Sequence, residues 1–295
     1  MLPLLFRLVC ATIMTVLMLQ TTDQKLKAVA AELRLAKRVL FITGAGISAD
    51  SGLPTYRGVG GLYNSGKTEE GYPIEQCLSA SMFRLRPDIT WKYMFQIGEA
   101  VMKCQPNSAH QIVAQWEKKF AQRDGKIVVF TQNIDGYHRL AGSENVLEIH
   151  GSLEKLVCTK CSWKSRLNLH DPTSIEHLKL LCQNSVPLCP KCGSVIRPRI
   201  VMFEEMLPQK VLTQFEEEFD NGNGFDMVFS IGTSAMFPYI TGPVQRAIRC
   251  GKTTVDVNPV ASELSHQVTY HLPMGAADAL TKIADEMTES TQGTG

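Results

Sequence analysis

A glycine-rich segment that directly follows an apolar run constrains this chain more than any other feature. Residues 39–42 read V-L-F-I, and residues 43–58 read T-G-A-G-I-S-A-D-S-G-L-P-T-Y-R-G. Gly44, Gly46 and Ala49 have the G-x-G-x-x-G/A spacing, in which small residues let backbone N–H groups approach a pyrophosphate where a buried strand ends. The segment therefore predicts a phosphate-binding turn at the edge of an α/β sheet.

The residues after this turn differ from those of a dinucleotide-binding dehydrogenase. In such enzymes the turn continues into a helix, and an acidic residue about 20 positions later holds a ribose. Here the chain continues into Ser51-Gly52-Leu53-Pro54, and Pro54 would kink or break a helix interior. Tyr56, Arg57 and three glycines follow within residues 56–61. We interpret residues 49–61 as a glycine-hinged loop that closes over the ligand.

The composition favours a reduced protein with no general affinity for polyanions. The chain has 295 residues, 44% of them hydrophobic, and a formal net charge of +1. It is long enough for one large domain with a small one attached. Nearly balanced charge gives no broad electrostatic reason to expect nucleic-acid or membrane binding. Nine cysteines that we expect to be reduced favour the cytoplasm.

The two ends of the chain differ from the rest. Arg7 precedes the mostly apolar residues 8–19, as in a signal peptide, but no A-x-A-like cleavage site is clear. This stretch is too short to span a bilayer comfortably. Two interpretations stay open: residues 1–21 are a hydrophobic leader, or translation begins at Met14 or Met18. Residues 289–295 are expected to form a flexible tail.

Apolar runs alternate with helical patterns along the rest of the chain. Residues 22–37 and 108–122 predict helices, and residues 126–131, 146–150, 227–232 and 253–258 predict strands. Strands that are apolar throughout and separated by helices indicate a parallel sheet covered on both faces. Polar clusters stand where these strands end, at residues 131–135, 150–151, 232–234 and 258–259. Since ligands bind parallel sheets at that edge, we expect the clusters to share one site.

Two C-x-x-C pairs predict a metal site. Cys158/Cys161 and Cys189/Cys192 are separated by 27 residues and supply the four thiolates of a closed tetrahedral zinc site. With all four positions filled by protein, the zinc is expected to be structural. We therefore expect a zinc-binding insertion at residues 158–199. The Rossmann-like domain is expected at 22–157 and 200–288, with a helical part of the small domain within 60–105.

Together these motifs resemble the sirtuin family of NAD-dependent protein lysine deacylases. The match runs from about residue 22 to 284 and includes, besides the cysteine pairs, G-A-G-I-S-A-D-S-G-L-P-T-Y-R-G at 44–58, T-Q-N-I-D-G at 131–136, H-G-S-L at 150–153, V-M-F-E-E at 201–205, G-T-S at 232–234 and V-N-P at 257–259. The resemblance implies a Rossmann-like domain and a small zinc domain, with NAD and an acyl-lysine meeting in the cleft between them.

The resemblance also implies roles for individual residues. His150 is the expected general base, which deprotonates a ribose hydroxyl so that the acyl group transfers to ADP-ribose. Asn133 and Asp135 are expected to hold the nicotinamide carboxamide and the neighbouring ribose, and Gln132 a ribose hydroxyl. The further NAD-binding residues that we expect are Gly44, Ala45, Gly46, Ala49, Tyr56, Arg57, Gly232, Thr233, Ser234, Asn258 and Ala276.

Four residues are expected to face the acylated substrate. Val201 and Phe203 lie in a segment, 201–205, that is expected to pair with an extended peptide. Sirtuins commonly have Phe-Gly-Glu here, whereas this chain has Phe203-Glu204-Glu205, so the extra acid is expected to narrow access and to favour basic peptides. Desuccinylases recognise acidic acyl groups with a Tyr and an Arg three residues apart. Met94 and Ile97 stand at those positions and predict acetyl or longer apolar groups instead.

Other functions are compatible with parts of this pattern. An NAD-dependent mono-ADP-ribosyltransferase on the same fold is the closest alternative, followed by a zinc-stabilised NAD sensor without chemistry. A dehydrogenase is disfavoured because the ribose-binding acid is missing. Acylated-lysine proteins are the expected partners, without nucleic acid, and without membranes unless the leader is real. The sequence leaves the oligomeric state open.

Overall fold

A computed structural model describes residues 20–54, 66–169, 171–183, 185–220 and 224–289. Its helices are α1 (Thr22–Leu35), α2 (Ile74–Cys77), α3 (Ala80–Leu85), α4 (Pro87–Lys103), α5 (Ser108–Ala121), α6 (Tyr137–Leu140), α7 (Pro172–Leu180), α8 (Gln209–Asp220), α9 (Pro238–Arg249) and α10 (Ala276–Glu289), with a 3₁₀ helix at Ala45–Ser51. Its strands are β1 (Arg38–Thr43), β2 (Lys126–Thr131), β3 (Val146–Glu148), β4 (Gly151–Cys158), β5 (Lys164–Arg166), β6 (Cys182–Gln183), β7 (Val186–Pro187), β8 (Ile196–Ile200), β9 (Met227–Ile231), β10 (Thr253–Val257) and β11 (Tyr270–Leu272).

A six-stranded parallel sheet forms the large domain. Its order is β11-β10-β9-β1-β2-β3, so that β1 pairs with β2 on one side and β9 on the other. Alternate residues of β1 pack on opposite faces: Val39 and Phe41 join a cluster with α1, α5 and α10, whereas Leu40 and Ile42 join one with α8 and α9. Because both faces are covered, the strands are apolar throughout. The predicted Rossmann-like sheet is confirmed.

The predicted elements differ from the observed ones mainly at their ends. The strand predicted at 126–131 is confirmed at both bounds, and those predicted at 227–232 and 253–258 each end one residue earlier. The strand predicted at 146–150 ends at Glu148. The strands that end at Thr131, Ile231 and Val257 are followed by Gln132, Gly232 and Asn258, residue types that are common where a loop begins.

The small domain combines a second sheet with helices α2 to α4. Strands β5, β4 and β8 form an antiparallel sheet, and β6 pairs with β7. One apolar cluster joins this sheet to Trp91, Tyr93 and Met94 of α4, and the indole N–H of Trp91 donates to the carbonyl of Ile196. The sheet extends beyond residues 158–199 on both sides, since β4 begins at Gly151 and β8 ends at Ile200.

Three sequence-based expectations lie outside the described residues. They are the leader within residues 1–19, the loop residues 55–61 with Tyr56 and Arg57, and the tail at 290–295. Among the residues that the structure describes, no helix has the length and apolar character needed to cross a membrane.

Candidate active site

Two loops touch at the carboxyl edge of the large sheet. Gly44 follows β1 and donates its N–H to the carbonyl of Ile231, at the end of β9, over 3.0 Å. Gly46 donates to the carbonyl of Gly232 over 2.8 Å. These two hydrogen bonds join the loop after β1 (the β1 loop) to the loop after β9 (the β9 loop). The loops meet because β1 and β9 are neighbouring strands of the sheet.

This contact changes the interpretation of the glycine motif. A Cβ atom on Gly44 would lie 2.8 Å from the carbonyl oxygen of Gly232. A Cβ atom on Gly46 would lie 2.5 Å from the Cα atom of Gly232. Gly232 itself has a φ of 60°, which favours glycine. Glycine is thus required because the loops touch. The expectation that the N–H groups of Gly44 and Gly46 are kept for a pyrophosphate needs correction, since both already donate to carbonyls.

The β9 loop is also tied to β2 and β10. The side-chain amide of Gln132 donates to the hydroxyl of Thr233 over 2.9 Å, and that of Asn258 donates to the carbonyl of Thr233 over 3.0 Å. Ser234 and Ala49 are exposed at this edge, and Ala45 is half-buried. The polar residues predicted at three strand ends therefore lie in one connected network.

A second network holds Asn133 and Asp135 against the glycine motif. The side-chain N–H₂ of Asn133 donates to the carbonyl of Gly44 and to the hydroxyl of Ser48, over 3.0 and 3.2 Å. The Ser48 hydroxyl in turn donates to Asp135 Oδ2 over 2.8 Å, and the Tyr137 N–H donates to Asp135 Oδ1. Burial raises the pKa of the Asp135 carboxyl. The sequence interpretation did not single out Ser48, although it lies within the glycine motif.

Two histidines lie beneath these networks. His138 Nε2 is 3.0 Å from the Thr43 hydroxyl, and His110 Nε2 is 3.4 Å from that of Ser48. Their rings meet edge to face with centroids 5.0 Å apart. Burial lowers the pKa of His110 to about 4 and the pKa of His138 well below its ordinary value. Neutral imidazoles thus form part of the floor of the site.

The position of His150 is set by a hydrogen bond at each ring nitrogen. Nδ1 lies 2.9 Å from the carbonyl oxygen of Gln132, and Nε2 lies 2.9 Å from the hydroxyl of Tyr239. A carbonyl oxygen can only accept, so Nδ1 carries the proton of the neutral ring and Nε2 is the acceptor. Burial lowers the pKa of His150, with the Gln132 carbonyl opposing the shift. A base at Nε2 is the chemistry that this arrangement permits.

The predicted peptide-binding segment is partly occupied by the protein itself. The Val201 N–H donates to the carbonyl of His150, which places Val201 beside the expected base. Phe203 donates its N–H to Leu78 and accepts from the N–H of Ala80, so its backbone is already paired. The expectation of a free edge at Phe203 therefore needs correction. Its side chain, 42% exposed, remains available for contact.

Glu204 and Glu205 both act within the chain. Glu204 has a φ of 73°, a left-handed conformation that favours glycine. Its carboxylate accepts from the N–H and the hydroxyl of Ser81 at the start of α3, which lowers its pKa. Glu205 forms a two-pronged ion pair with Arg197 and accepts from the Met202 N–H. The acid at 204 is thus engaged by the protein itself.

Three other predicted site residues are buried. Ala276 begins α10, and its side chain packs in the core of the large domain. The N–H of the next residue, Ala277, donates to the carboxylate of Asp50 in the 3₁₀ helix. A role for Ala276 in binding NAD stays a prediction, and its side chain is buried. Met94 and Ile97 of α4 are 4% and 8% exposed in the apolar cluster of the small domain.

The four paired cysteines converge on one point. Their Sγ atoms all lie within 4.8 Å of one another, with Cys158 and Cys192 at 3.5 Å and Cys161 and Cys189 at 3.6 Å. Tetrahedral coordination with Zn–S bonds near 2.3 Å requires Sγ–Sγ distances of about 3.8 Å. The four thiolates therefore fit a structural zinc ion, which would close the end of β4 against the loop before β8.

Comparison with known proteins agrees with this architecture. A profile described as the Sir2 family matches residues 44–237. An NAD-dependent protein deacylase 2 of Pseudomonas syringae pv. tomato is 46% identical over 86% of this chain and 97% of its own length. The NAD-dependent protein deacylase 2 of Pseudomonas aeruginosa is 44% identical over 88% of this chain and 96% of its own length.

Solved structures agree as well. A Sir2 homologue in complex with NAD is 29% identical, with a TM-score of 0.72 over 89% of this chain and 94% of its own. A Sir2 variant with a deacetylated p53 peptide and 3′-O-acetyl ADP-ribose is 28% identical, with a TM-score of 0.74 over 88% of this chain and 97% of its own. The paired cysteines, the joined glycine loops and these matches lead to one conclusion: the chain belongs to the Sir2 family.

Proposed function

We propose that this protein is an NAD-dependent protein lysine deacylase. It consumes NAD and an acylated lysine, and it releases nicotinamide, O-acyl-ADP-ribose and the free lysine amine. Family membership and the names of the two Pseudomonas relatives support the reaction class. Acylated proteins are then the partners, and NAD is a consumed substrate.

The fixed tautomer of His150 is the observation that carries this proposal. The reaction needs a base for a ribose hydroxyl, and a neutral imidazole with an unprotonated Nε2 provides one near neutral pH. The Gln132 carbonyl holds the proton at Nδ1, 2.9 Å away. Gln132 is itself joined to Thr233, so the base and the β9 loop belong to one rigid unit.

The glycine-loop network would hold the nicotinamide half of NAD. Asn133 uses its N–H₂ group on Gly44 and Ser48, which leaves its side-chain oxygen to accept from a carboxamide N–H₂. Asp135 accepts one hydrogen bond on each oxygen, from Ser48 and from Tyr137, and each oxygen keeps a second lone pair for the substrate. Tyr56 and Arg57, which lie outside the described residues, stay assigned to the covering loop by resemblance alone.

The acyl group is expected to be acetyl or a longer apolar chain. Met94 and Ile97 are both apolar and buried, so neither can pair with a carboxylate of a succinyl group. Val201 and the exposed ring of Phe203 would contact the acyl-lysine from the other side. The double substitution Met94→Tyr and Ile97→Arg is expected to raise succinyl turnover relative to acetyl turnover.

The test is product identification with a matched inactive variant. The protein is incubated with NAD and acetyl, lipoyl, long-chain and succinyl lysine peptides, and mass spectrometry identifies both the peptide and the nucleotide product. His150→Ala should abolish acyl removal while its zinc content stays equal to that of the wild type. Full activity of His150→Ala would refute the assigned base. ADP-ribose attached to protein, without acyl removal, would refute the proposed reaction.

A further inference from the structure

Tyr239 contacts the proposed base, and no sequence motif points to this contact. The residue lies in the first turn of α9, and its hydroxyl is 2.9 Å from His150 Nε2. The two rings meet edge to face with centroids 6.0 Å apart. Because Gln132 fixes the proton at Nδ1, the tyrosine must donate to Nε2.

Tyr239 is held in place by its surroundings. Its ring stacks on that of Phe237 with centroids 5.4 Å apart, and the next residue, Ile240, is completely buried. The ring also packs against the apolar cluster between the sheet and α9. A side chain anchored in this way would keep its contact with His150 when a substrate arrives.

An sp² ring nitrogen has one lone pair, and the phenol occupies it at Nε2. A phenol oxygen, in contrast, can donate one hydrogen bond and accept another at the same time. A substrate hydroxyl that approaches His150 from the Nε2 side therefore meets the Tyr239 oxygen first. Tyr239 and His150 are both half-buried, so part of each residue is accessible from solvent.

From these contacts we infer that Tyr239 is a catalytic residue, which relays the proton of the ribose hydroxyl to His150. The substrate O–H proton passes to the Tyr239 oxygen while the Tyr239 proton passes to Nε2. The products of this step are a ribose alkoxide, a neutral tyrosine and an imidazolium. The acyl oxygen is by then bonded to the anomeric carbon, and the acyl carbon has a C=N⁺ bond to the lysine nitrogen. The alkoxide oxygen adds to that carbon, and the electron pair of the C=N⁺ π bond moves to the lysine nitrogen. This inference rests on the proposed function, since it needs His150 as the base.

The acidity of Tyr239 suits a relay. Burial raises its pKa to about 12, close to that of a sugar hydroxyl, so the phenol stays protonated at neutral pH. A proton can therefore pass between two oxygens of similar basicity before it reaches the imidazole. The relay needs no charge on the tyrosine before or after the step.

The test compares Tyr239→Phe with Tyr72→Phe, which removes a hydroxyl from an exposed tyrosine. Release of nicotinamide precedes the step that needs the base, so exchange of labelled nicotinamide into NAD should stay within about twofold of wild type in both variants. Formation of O-acyl-ADP-ribose should fall about tenfold to a hundredfold in Tyr239→Phe only.

A second measurement does not depend on turnover. In the NAD-free protein, ¹⁵N NMR should show His150 with a protonated Nδ1 and an Nε2 whose resonance moves in Tyr239→Phe. An unmoved Nε2 resonance would overturn the contact. Equal or faster product formation by Tyr239→Phe, or an equal loss of nicotinamide exchange, would overturn the relay while leaving the proposed function intact. A wild-type protein that removes no acyl group would instead refute the proposed function, and the relay with it.

Discussion

A Cβ atom on Gly46 would lie 2.5 Å from the Cα atom of Gly232, so the two glycines leave no room for a side chain between their loops. Gly46→Ala should therefore lower the free energy of unfolding by about 1–3 kcal/mol, because the loops must separate. It should also weaken NAD binding, since the separated loops form the proposed site. Thermal unfolding and calorimetric NAD titration measure the two effects.

Gly242→Ala provides the control for this substitution. Gly242 lies inside α9, where an added Cβ meets no atom within 4 Å apart from its chain neighbours and its own helix backbone. Alanine removes the flexibility of glycine but precedes Pro243, and these opposing effects should keep the change in stability below about 1 kcal/mol. Equal stability of Gly46→Ala and Gly242→Ala would show that the contact between the loops does not matter.

The activity should fall on the acid side at a pH below the ordinary histidine value. His150 must be neutral to accept a proton, and burial lowers its pKa from 6.5. Lowering the pH protonates His150 and so decreases kcat/KM. Because the pKa of His150 is lowered, this decrease begins at a lower pH than for an ordinary histidine. A pH profile of kcat/KM for acetyl-peptide measures this value in the free enzyme. An acid limb centred above 6.5 would contradict the prediction.

Stability should also decrease as the pH falls below 6.5. His110 and His138 are buried and neutral, with the pKa of His110 near 4, whereas both take up protons near 6.5 when the chain unfolds. The unfolded state thus binds more protons between pH 6.5 and 4. Each histidine contributes up to about 1.4 kcal/mol per pH unit in this range. Urea unfolding at several pH values measures the slope.

His110→Gln should reduce this slope because one of the two buried histidines is removed. His177→Gln changes an exposed histidine and should keep the slope of the wild type. If the His110 and His177 variants have equal slopes, the buried histidine does not account for the acid sensitivity.

Removal of zinc should unfold the small domain and leave the large sheet folded. Cys192→Ser should lose about one equivalent of zinc per chain, because serine replaces one of four thiolate ligands. Tryptophan fluorescence should change, since Trp91 and Trp163 pack in the small-domain cluster. The control is Cys250→Ser, an exposed cysteine on another part of the surface. Full zinc content in Cys192→Ser would exclude this residue as a ligand.

Glu204→Ala and Glu204→Gly should differ in stability although both lose the contact with Ser81. The backbone at this residue has a φ of 73°, which costs alanine roughly 1 kcal/mol and costs glycine nothing. Glu204→Gly should therefore have the higher melting temperature. Ser81→Ala removes the same carboxylate contact without changing the backbone at 204. Equal melting temperatures of the two Glu204 variants would refute the strain.

The sequence predicts the large sheet well because its strands are apolar on both faces and end in polar turns. The strand predicted at residues 126–131 begins and ends at those same residues in the structure. The same signal located Gln132, Asn133 and Asn258, which do lie in connected networks. It works because parallel strands place their carboxyl ends at one edge.

Other features depend on contacts between distant segments and leave no local pattern. Phe203 pairs with residues 78–80, so its segment appears free in sequence but is occupied in the fold. Tyr239 contacts His150 although the two residues are 89 positions apart in the chain. No sequence pattern near Tyr239 indicates this contact. Ser48, in contrast, is detectable from the sequence, because it lies inside the glycine-rich motif at residues 44–58.

The strand order has a consequence for how the chain acquires its structure. Strand β1 lies between β2 and β9, and residues 44–226 separate β1 from β9 along the chain. During synthesis, β1 can pair on one side only until residues 227–231 leave the ribosome. The joined loops at Gly46 and Gly232 cannot form before then. Such long-range pairing slows folding, and the binding edge is therefore among the last parts of the protein to be completed.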